Sequence, residues 1–133
     1  MASQITMNAE AHQIVATEQQ LLGQLLGLYD EEHQVYGRVL ELSRQQGEMV
    51  RNGGNMSDIR QVLEKKKNCL EIIARLEKSG KPNKHAWGQR RMSFSPRSRR
   101  TLQESLNRVT KLIEEILTCE EMNDLYLIEQ AGA

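Results

Sequence analysis

The sequence is poor in the residues that build β-sheet cores. Only 4% of its 133 residues are aromatic, and it has one tryptophan and one phenylalanine. Strands of sandwiches and barrels are enriched in aromatic and β-branched side chains. Proline, which interrupts helices, occurs only twice. The composition therefore predicts an all-α protein, and the length is that of a single helical domain over residues 1–133.

A charge excess and a long apolar run are also missing. Lysine plus arginine and aspartate plus glutamate both number 18, so the formal net charge is zero, unlike that of a polycationic nucleic-acid-binding chain. No apolar run approaches the roughly 20 residues that span a bilayer. The first ten residues, MASQITMNAE, lack the basic start and apolar block of a signal peptide. We therefore expect a cytoplasmic protein without membrane insertion.

Motifs for catalysis or metal binding are equally scarce. Asp30 and His33 form one half of a di-iron helix motif, but neither of the other histidines, His12 and His85, has an acidic residue three positions before it. Cys69 and Cys119 lie far apart, with no CxxC pair, which favours plain buried or half-buried thiols. No glycine-rich phosphate loop and no nucleophile–histidine arrangement occurs. We expect no catalytic residues, no bound metal and no cofactor, and so no enzyme.

Apolar residues recur at helical spacing in three segments. The first predicted helix covers residues 9–51, with two adjacent apolar stripes that indicate packing against more than one neighbour. A glycine- and asparagine-rich turn follows, and Ser57 is the predicted N-cap of a second helix over 57–79. Ser79-Gly80 and Pro82 are predicted to end that helix. Ser95 and Pro96 begin a third helix over 96–129. The pattern predicts an antiparallel three-helix bundle of long, coiled-coil-like helices.

The stretch between the last two helices, residues 79–95, is predicted to be an irregular loop with a basic character. Eight basic and no acidic residues occur from Lys78 to Arg100. Cations neutralise phosphates and aromatic rings stack on bases, so Trp87, Arg90 and Arg91 are candidates for contact with an anionic surface such as single-stranded nucleic acid. The alternative is a solvated loop attracted to the acidic surfaces of the other helices.

The length difference between the first two predicted helices leaves part of the apolar face of the first one uncovered. A loop, the third helix, a second copy of the chain or a partner's amphipathic helix would cover it. Ordinary core packing is the alternative for each of these leucines. The candidate partner-binding residues are Leu21, Leu22, Leu25, Leu26, Ile116, Leu117, Met122, Leu125, Tyr126 and Ile128.

Three phrases of the sequence resemble the flagellar export chaperones of the FlgN type, over nearly the whole chain. They are the small-residue helix end MVRNGG at 49–54, the charged helical phrase DIRQVLEKK at 58–66, and ILTCEEMNDL at 116–125, with an asparagine near the last turns. The resemblance implies a non-enzymatic chaperone that holds the helical C-terminal segments of hook–filament junction proteins before export and meets the export apparatus. The Trp87-containing basic loop departs from the family's pattern.

Two functions thus follow from the sequence. The first is a secretion chaperone for a helical client. The second is a structural or adaptor bundle whose basic loop touches nucleic acid or an acidic surface. Such a bundle could act as a monomer or as a homodimer.

Overall fold

The computed structural model describes residues 16–132, and these form three long α-helices: α1 (Glu18–Arg51), α2 (Met56–Arg90) and α3 (Pro96–Gly132). The predicted all-α fold is confirmed. The predicted helix over 9–51 is wrong at Ala16 and Thr17, because Thr17 caps the helix and Glu18 is its first residue. The predicted helical residues 9–15 lie outside the described residues. No helix within 16–132 is long and apolar enough to cross a membrane.

Helix α1 begins with a capping box and ends where its sequence predicts. Thr17 Oγ1 accepts a hydrogen bond from the Gln20 amide at 3.1 Å, and the Gln20 side chain accepts one from the Thr17 amide at 2.9 Å. The helix ends at Arg51, and Gly53 adopts the left-handed conformation with φ of 67°. Only glycine takes that conformation without strain, so the chain reverses here into α2.

The N-cap of helix α2 lies two residues earlier in the turn than predicted. Asn55, and not Ser57, is its N-cap, because Asn55 Oδ1 accepts a hydrogen bond from the Asp58 amide at 2.9 Å. Asp58 does lie in the first turn, where the helix dipole favours its negative charge.

The predicted end of α2 and the irregular loop over 79–95 are both wrong. The helix continues through Pro82 to Arg90 and is followed by a 3₁₀ turn over Arg91–Ser93. Packing explains the difference: Gly80 is buried so closely against Leu28 of α1 that a Cβ at this position would meet the leucine side chain. Contacts between helices thus hold the segment helical against the local preference of its glycine and proline.

Helix α2 is therefore as long as α1, at 35 residues against 34. The prediction that a shorter second helix leaves part of the apolar face of α1 uncovered is wrong. Helix α3 begins as predicted: Ser95 Oγ accepts a hydrogen bond from the Ser98 amide at 3.2 Å, and Pro96 is the first helical residue.

The three helices form an up–down–up bundle in which α1 packs against both others. Glu18 of α1 contacts Ser95 and Ser98, and Arg51 contacts Tyr126, so α1 and α3 run parallel. Helix α2 runs antiparallel to both.

Two buried clusters form the core, one near the α1–α2 turn and one at the opposite end. Their members are Val39, Leu40, Leu42, Val62, Cys69 and Ile116 in the first, and Leu22, Leu25, Tyr29, Leu102 and Val109 in the second.

Candidate protein-binding surface

The structure divides the predicted partner-binding residues into a buried and an exposed set. Leu21 and Leu25 are each only 1% exposed, Leu22 is buried beside them, and Leu26 packs against the same cluster. These leucines form the interior of the bundle and offer no free surface. Ile116 is likewise buried, in the cluster near the turn.

The exposed set lies on the C-terminal third of α3. Its members, each more than two-fifths exposed, are Leu117, Met122, Leu125 and Ile128. Tyr126 is half-buried because it is tied to α1. Its hydroxyl accepts a hydrogen bond from Arg51 Nη1 at 3.1 Å, and the Arg51 guanidinium lies 4.8 Å from the centre of the tyrosine ring.

An ion pair between Lys66 of α2 and Glu120 of α3 bridges the two helices, and Glu120 lies in the same part of α3 as the exposed set. Lys66 Nζ also donates to Gln46 Oε1 at 2.9 Å, and Ser43 Oγ donates to Glu120 Oε1 at 2.5 Å. Burial acts to raise the pKa of the Glu120 carboxyl, but hydrogen bonds from Lys66 and Ser43 outweigh it and hold that pKa below its usual range. The network joins all three helices at one point.

Exposed leucines flank this ion pair on both helices. Residues three or four apart lie on the same side of a helix. Leu63 and Leu70 lie three residues before and four after Lys66, and together with Ala74 they line a shallow groove on α2. Leu117 lies three residues before Glu120, and Leu127 lies seven after it. We call Leu63, Leu70, Leu117, Leu127 and Ile128 the α2–α3 apolar surface; all five are exposed.

Charged residues are interleaved with this surface. On α2, the exposed Arg60 and Lys67 are accompanied by the exposed Glu71, which lines the same groove as Leu63 and Leu70. On α3, Glu121 lies four residues after Leu117 and Asp124 lies four before Ile128, and both acids are exposed. The surface therefore has a mixed but mainly basic edge on α2 and an acidic edge on α3 that alternates with its apolar residues. Sequence reasoning missed Leu63 and Leu70 as surface candidates, although their seven-residue spacing beside the buried stripe was a visible signal.

The basic residues lie at the opposite end of the bundle, on helical backbone. Arg90 points inward: its Nη1 donates to the Ala16 carbonyl at 2.5 Å, and its guanidinium lies 4.9 Å from the centre of the Phe94 ring. Trp87 is half-buried and packs on Phe94, with ring centres 4.8 Å apart. Of the three predicted anion-contacting residues, only Arg91 is exposed.

Potential metal ligands do not converge anywhere in residues 16–132. No group of three histidine, cysteine, aspartate or glutamate side chains is placed to hold an ion there. Asp30 and His33 are both exposed. Cys69 is buried and Cys119 half-buried, both as free thiols beside the same cluster, which confirms the prediction that they behave as small hydrophobes.

Comparison of the chain with protein-family models, curated proteins and solved structures finds no match.

Proposed function

We propose that this chain is a non-enzymatic binding protein that holds an amphipathic helix of a client protein on the α2–α3 apolar surface. The resemblance to the FlgN type supports a specific client: the helical C-terminal segment of flagellar hook–filament junction proteins, held in the cytoplasm before export. No cofactor takes part, because recognition rests on apolar burial and on the two charged edges.

The exposure of five large apolar side chains around one ion pair carries the proposal. Scattered single leucines are normal on a protein surface, whereas several large apolar side chains exposed on two helices that an ion pair bridges point to an interaction site. Ile128 is 67% exposed and Leu117 58%, and both belong to the C-terminal helix of the bundle. Covering a half-exposed leucine contributes about 1 kcal/mol, so five of them support a reversible complex.

The edges define the chemistry of the client helix. It carries apolar residues at i, i+3, i+4 and i+7, with acidic residues along the side that meets Arg60 and Lys67. Basic residues on its other side meet Glu121 and Asp124. Such edges steer the encounter and fix the direction of the bound helix more than they add affinity.

The experiment is co-purification of the chain with hook–filament junction proteins, with wild type and three variants as bait. Leu63→Ser and Leu117→Ser each remove one exposed leucine, from α2 and α3. Met92→Ser is the matched control, because Met92 is 80% exposed and lies in the 3₁₀ turn at the other end. We expect retention by wild type and Met92→Ser, and at least tenfold less by the other two. Equal retention by all four would contradict this placement of the client, and no retention by wild type would contradict the client class.

A second candidate function rests on the basic end. Arg97 and Arg100 are exposed on the first turns of α3, near Arg91, and none of the three forms an ion pair within residues 16–132. An adaptor that docks on nucleic acid or an acidic surface would use them. Binding to a single-stranded oligonucleotide that weakens steeply with salt and is lost on replacing Arg91, Arg97 and Arg100 by glutamine would support it. Binding unaffected by these changes would exclude it.

A further inference from the structure

A cavity opens between the last turns of α2 and the first turns of α3, at the end of the bundle opposite the α2–α3 apolar surface. Its volume is about 220 Å³. The buried leucines Leu25 and Leu102 form its deepest part, and Trp87 lines it with a flat aromatic ring. Pockets for drug-sized ligands have volumes of about 300–1,000 Å³, so this one is sized for a smaller molecule.

Among the residues that the structure describes, three cations and no acidic residue line the cavity: Lys84, Arg91 and Arg99. Lys84 is ion-paired with Glu77, which lies outside the lining. Arg91 and Arg99 form no ion pair in the described part of the chain. The lining thus has an uncompensated positive charge next to an apolar floor.

Arg99 adds a second sign that the cavity suits an anion. Its Nε atom is buried and has no hydrogen-bond partner among residues 16–132. A buried charged donor without an acceptor is unfavourable, and proteins rarely leave one in place. A carboxylate or another planar anion would accept from such a guanidinium in two parallel hydrogen bonds.

Trp87 is held in place at the wall of the cavity. It packs on Phe94, which is itself buried and lies beneath the guanidinium of Arg90. A ring fixed in this way presents a flat apolar face at no further cost in side-chain entropy. Together with the leucine floor, it matches the flat apolar body of an aromatic ligand.

We propose that this cavity binds a small aromatic carboxylate, with its carboxylate on Arg99 and Arg91 and its ring between Trp87 and Leu102. Gln103, which also lines the cavity, is a further hydrogen-bonding partner for the carboxylate. This site uses none of the residues of the α2–α3 apolar surface, so it stands or falls independently of client binding.

The test is a fluorescence titration of the whole chain, since Trp87 is its only tryptophan and reports directly on the cavity. The probes are benzoate, benzamide, which has the same ring without the charge, and inorganic phosphate, which has charge without the ring. We expect saturable binding of benzoate, with benzamide and phosphate at least tenfold weaker. Equal affinity for benzoate and benzamide would overturn the role of the arginines, and phosphate as strong as benzoate would overturn the aromatic part of the proposal.

Variants distinguish a specific binding site from non-specific electrostatic attraction to the basic end of the bundle. Arg99→Gln and Arg91→Gln each remove one cation from the lining, and Arg91 is exposed, so its replacement leaves the core intact. Arg100→Gln is the control, because Arg100 adjoins Arg99 in sequence, has the same charge and does not line the cavity. We expect about tenfold weaker benzoate binding in the first two variants and unchanged binding in the control. Equal losses in all three, or no saturable binding to wild type, would overturn the proposal.

Discussion

The side-chain amide of Asn123 donates a hydrogen bond from Nδ2 to the backbone carbonyl of Ser43, 2.8 Å away, across the interface between α3 and α1. Asn123 is 2% exposed, and it lies directly over Gly47, where a Cβ would meet its Oδ1 atom. A buried polar group contributes to the stability of the fold only when it has a hydrogen-bond partner. The pair therefore fixes the register of α1 and α3 near the Lys66–Glu120 ion pair.

Replacing Gly47 by alanine should destabilise the bundle, against the usual helix preference. Alanine is favoured over glycine inside a helix by about 1 kcal/mol. At Gly47 the added methyl group displaces Asn123 from Ser43, and we expect a net loss of about 1–2 kcal/mol in the free energy of unfolding. Urea denaturation followed by circular dichroism measures it.

Gly27→Ala is the matched control for Gly47→Ala. Gly27 is exposed in the same helix, with nothing within 4 Å of a Cβ at that position. We expect Gly27→Ala to raise the free energy of unfolding by up to about 1 kcal/mol. Similar gains in both variants would show that the Asn123 contact places no constraint on Gly47.

Removing one partner of the Lys66–Glu120 pair should cost more than removing both. Lys66→Met leaves the partly buried Glu120 carboxylate without its cation, and we expect a loss of about 1–3 kcal/mol. The double variant Lys66→Met with Glu120→Leu removes the unpaired charge and should recover most of the loss. A double-mutant cycle by urea denaturation measures the coupling, and purely additive effects would contradict the bridge.

The buried carboxyl of Glu32 should make stability fall as pH rises. Burial, followed by the hydrogen bond to Glu77 and its charge, raises the pKa of Glu32 from its ordinary value near 4.5 to about 8. Between these two values the folded state binds more protons than the unfolded state, so this group favours folding below pH 4.5 and loses that contribution as pH rises toward 8.

Glu32→Gln keeps the shape of the protonated side chain and removes its titration. At pH 8 we expect it to raise the free energy of unfolding by roughly 1–3 kcal/mol, and by much less at pH 5. Glu31→Gln, at an exposed neighbouring position, should change stability little at either pH. A gain from Glu32→Gln that is equal at both pH values would show that Glu32 is charged throughout.

The two prolines allow a direct comparison of a helix interior with a helix start. Pro82 lies inside α2, where it removes one backbone hydrogen bond, whereas Pro96 is the first residue of α3. We expect Pro82→Ala to raise the free energy of unfolding by about 1–3 kcal/mol, and Pro96→Ala to change it by less than about 0.5 kcal/mol. Thermal unfolding checks both, and a loss from Pro82→Ala would mean that the bundle needs a bend at this point.

The start of α3, the end of α1 and the apolar stripes were predictable because they depend on neighbours in sequence. Ser95 with Pro96, the Asn52–Gly54 turn and the spacing of Leu102 and Val109 each act within one or two turns of a helix. The continuation of α2 past Gly80 and Pro82 was not predictable in this way. It depends on Leu28, which is 52 positions away in sequence and holds Gly80 against α1.

The candidate surface was only half predictable for a similar reason. Periodicity shows that a leucine lies on an apolar face, but not whether another helix covers that face. Leu21 and Leu25 are covered because α2 extends over the whole of α1, whereas Leu63 and Leu117 lie beside the Lys66–Glu120 pair and stay exposed among residues 16–132. The cavity at Trp87 likewise combines residues of all three helices, which no local pattern brings together.

The most direct test of the proposed function is methyl NMR of the leucine-labelled chain with the purified C-terminal helical segment of a hook–filament junction protein. We predict that the methyl signals of Leu63, Leu70, Leu117 and Leu127 shift on titration, while those of the core residues Leu21 and Leu25 stay in place. Shifts confined to other leucines, or no shifts at saturating client, would contradict the assignment of client binding to the α2–α3 apolar surface.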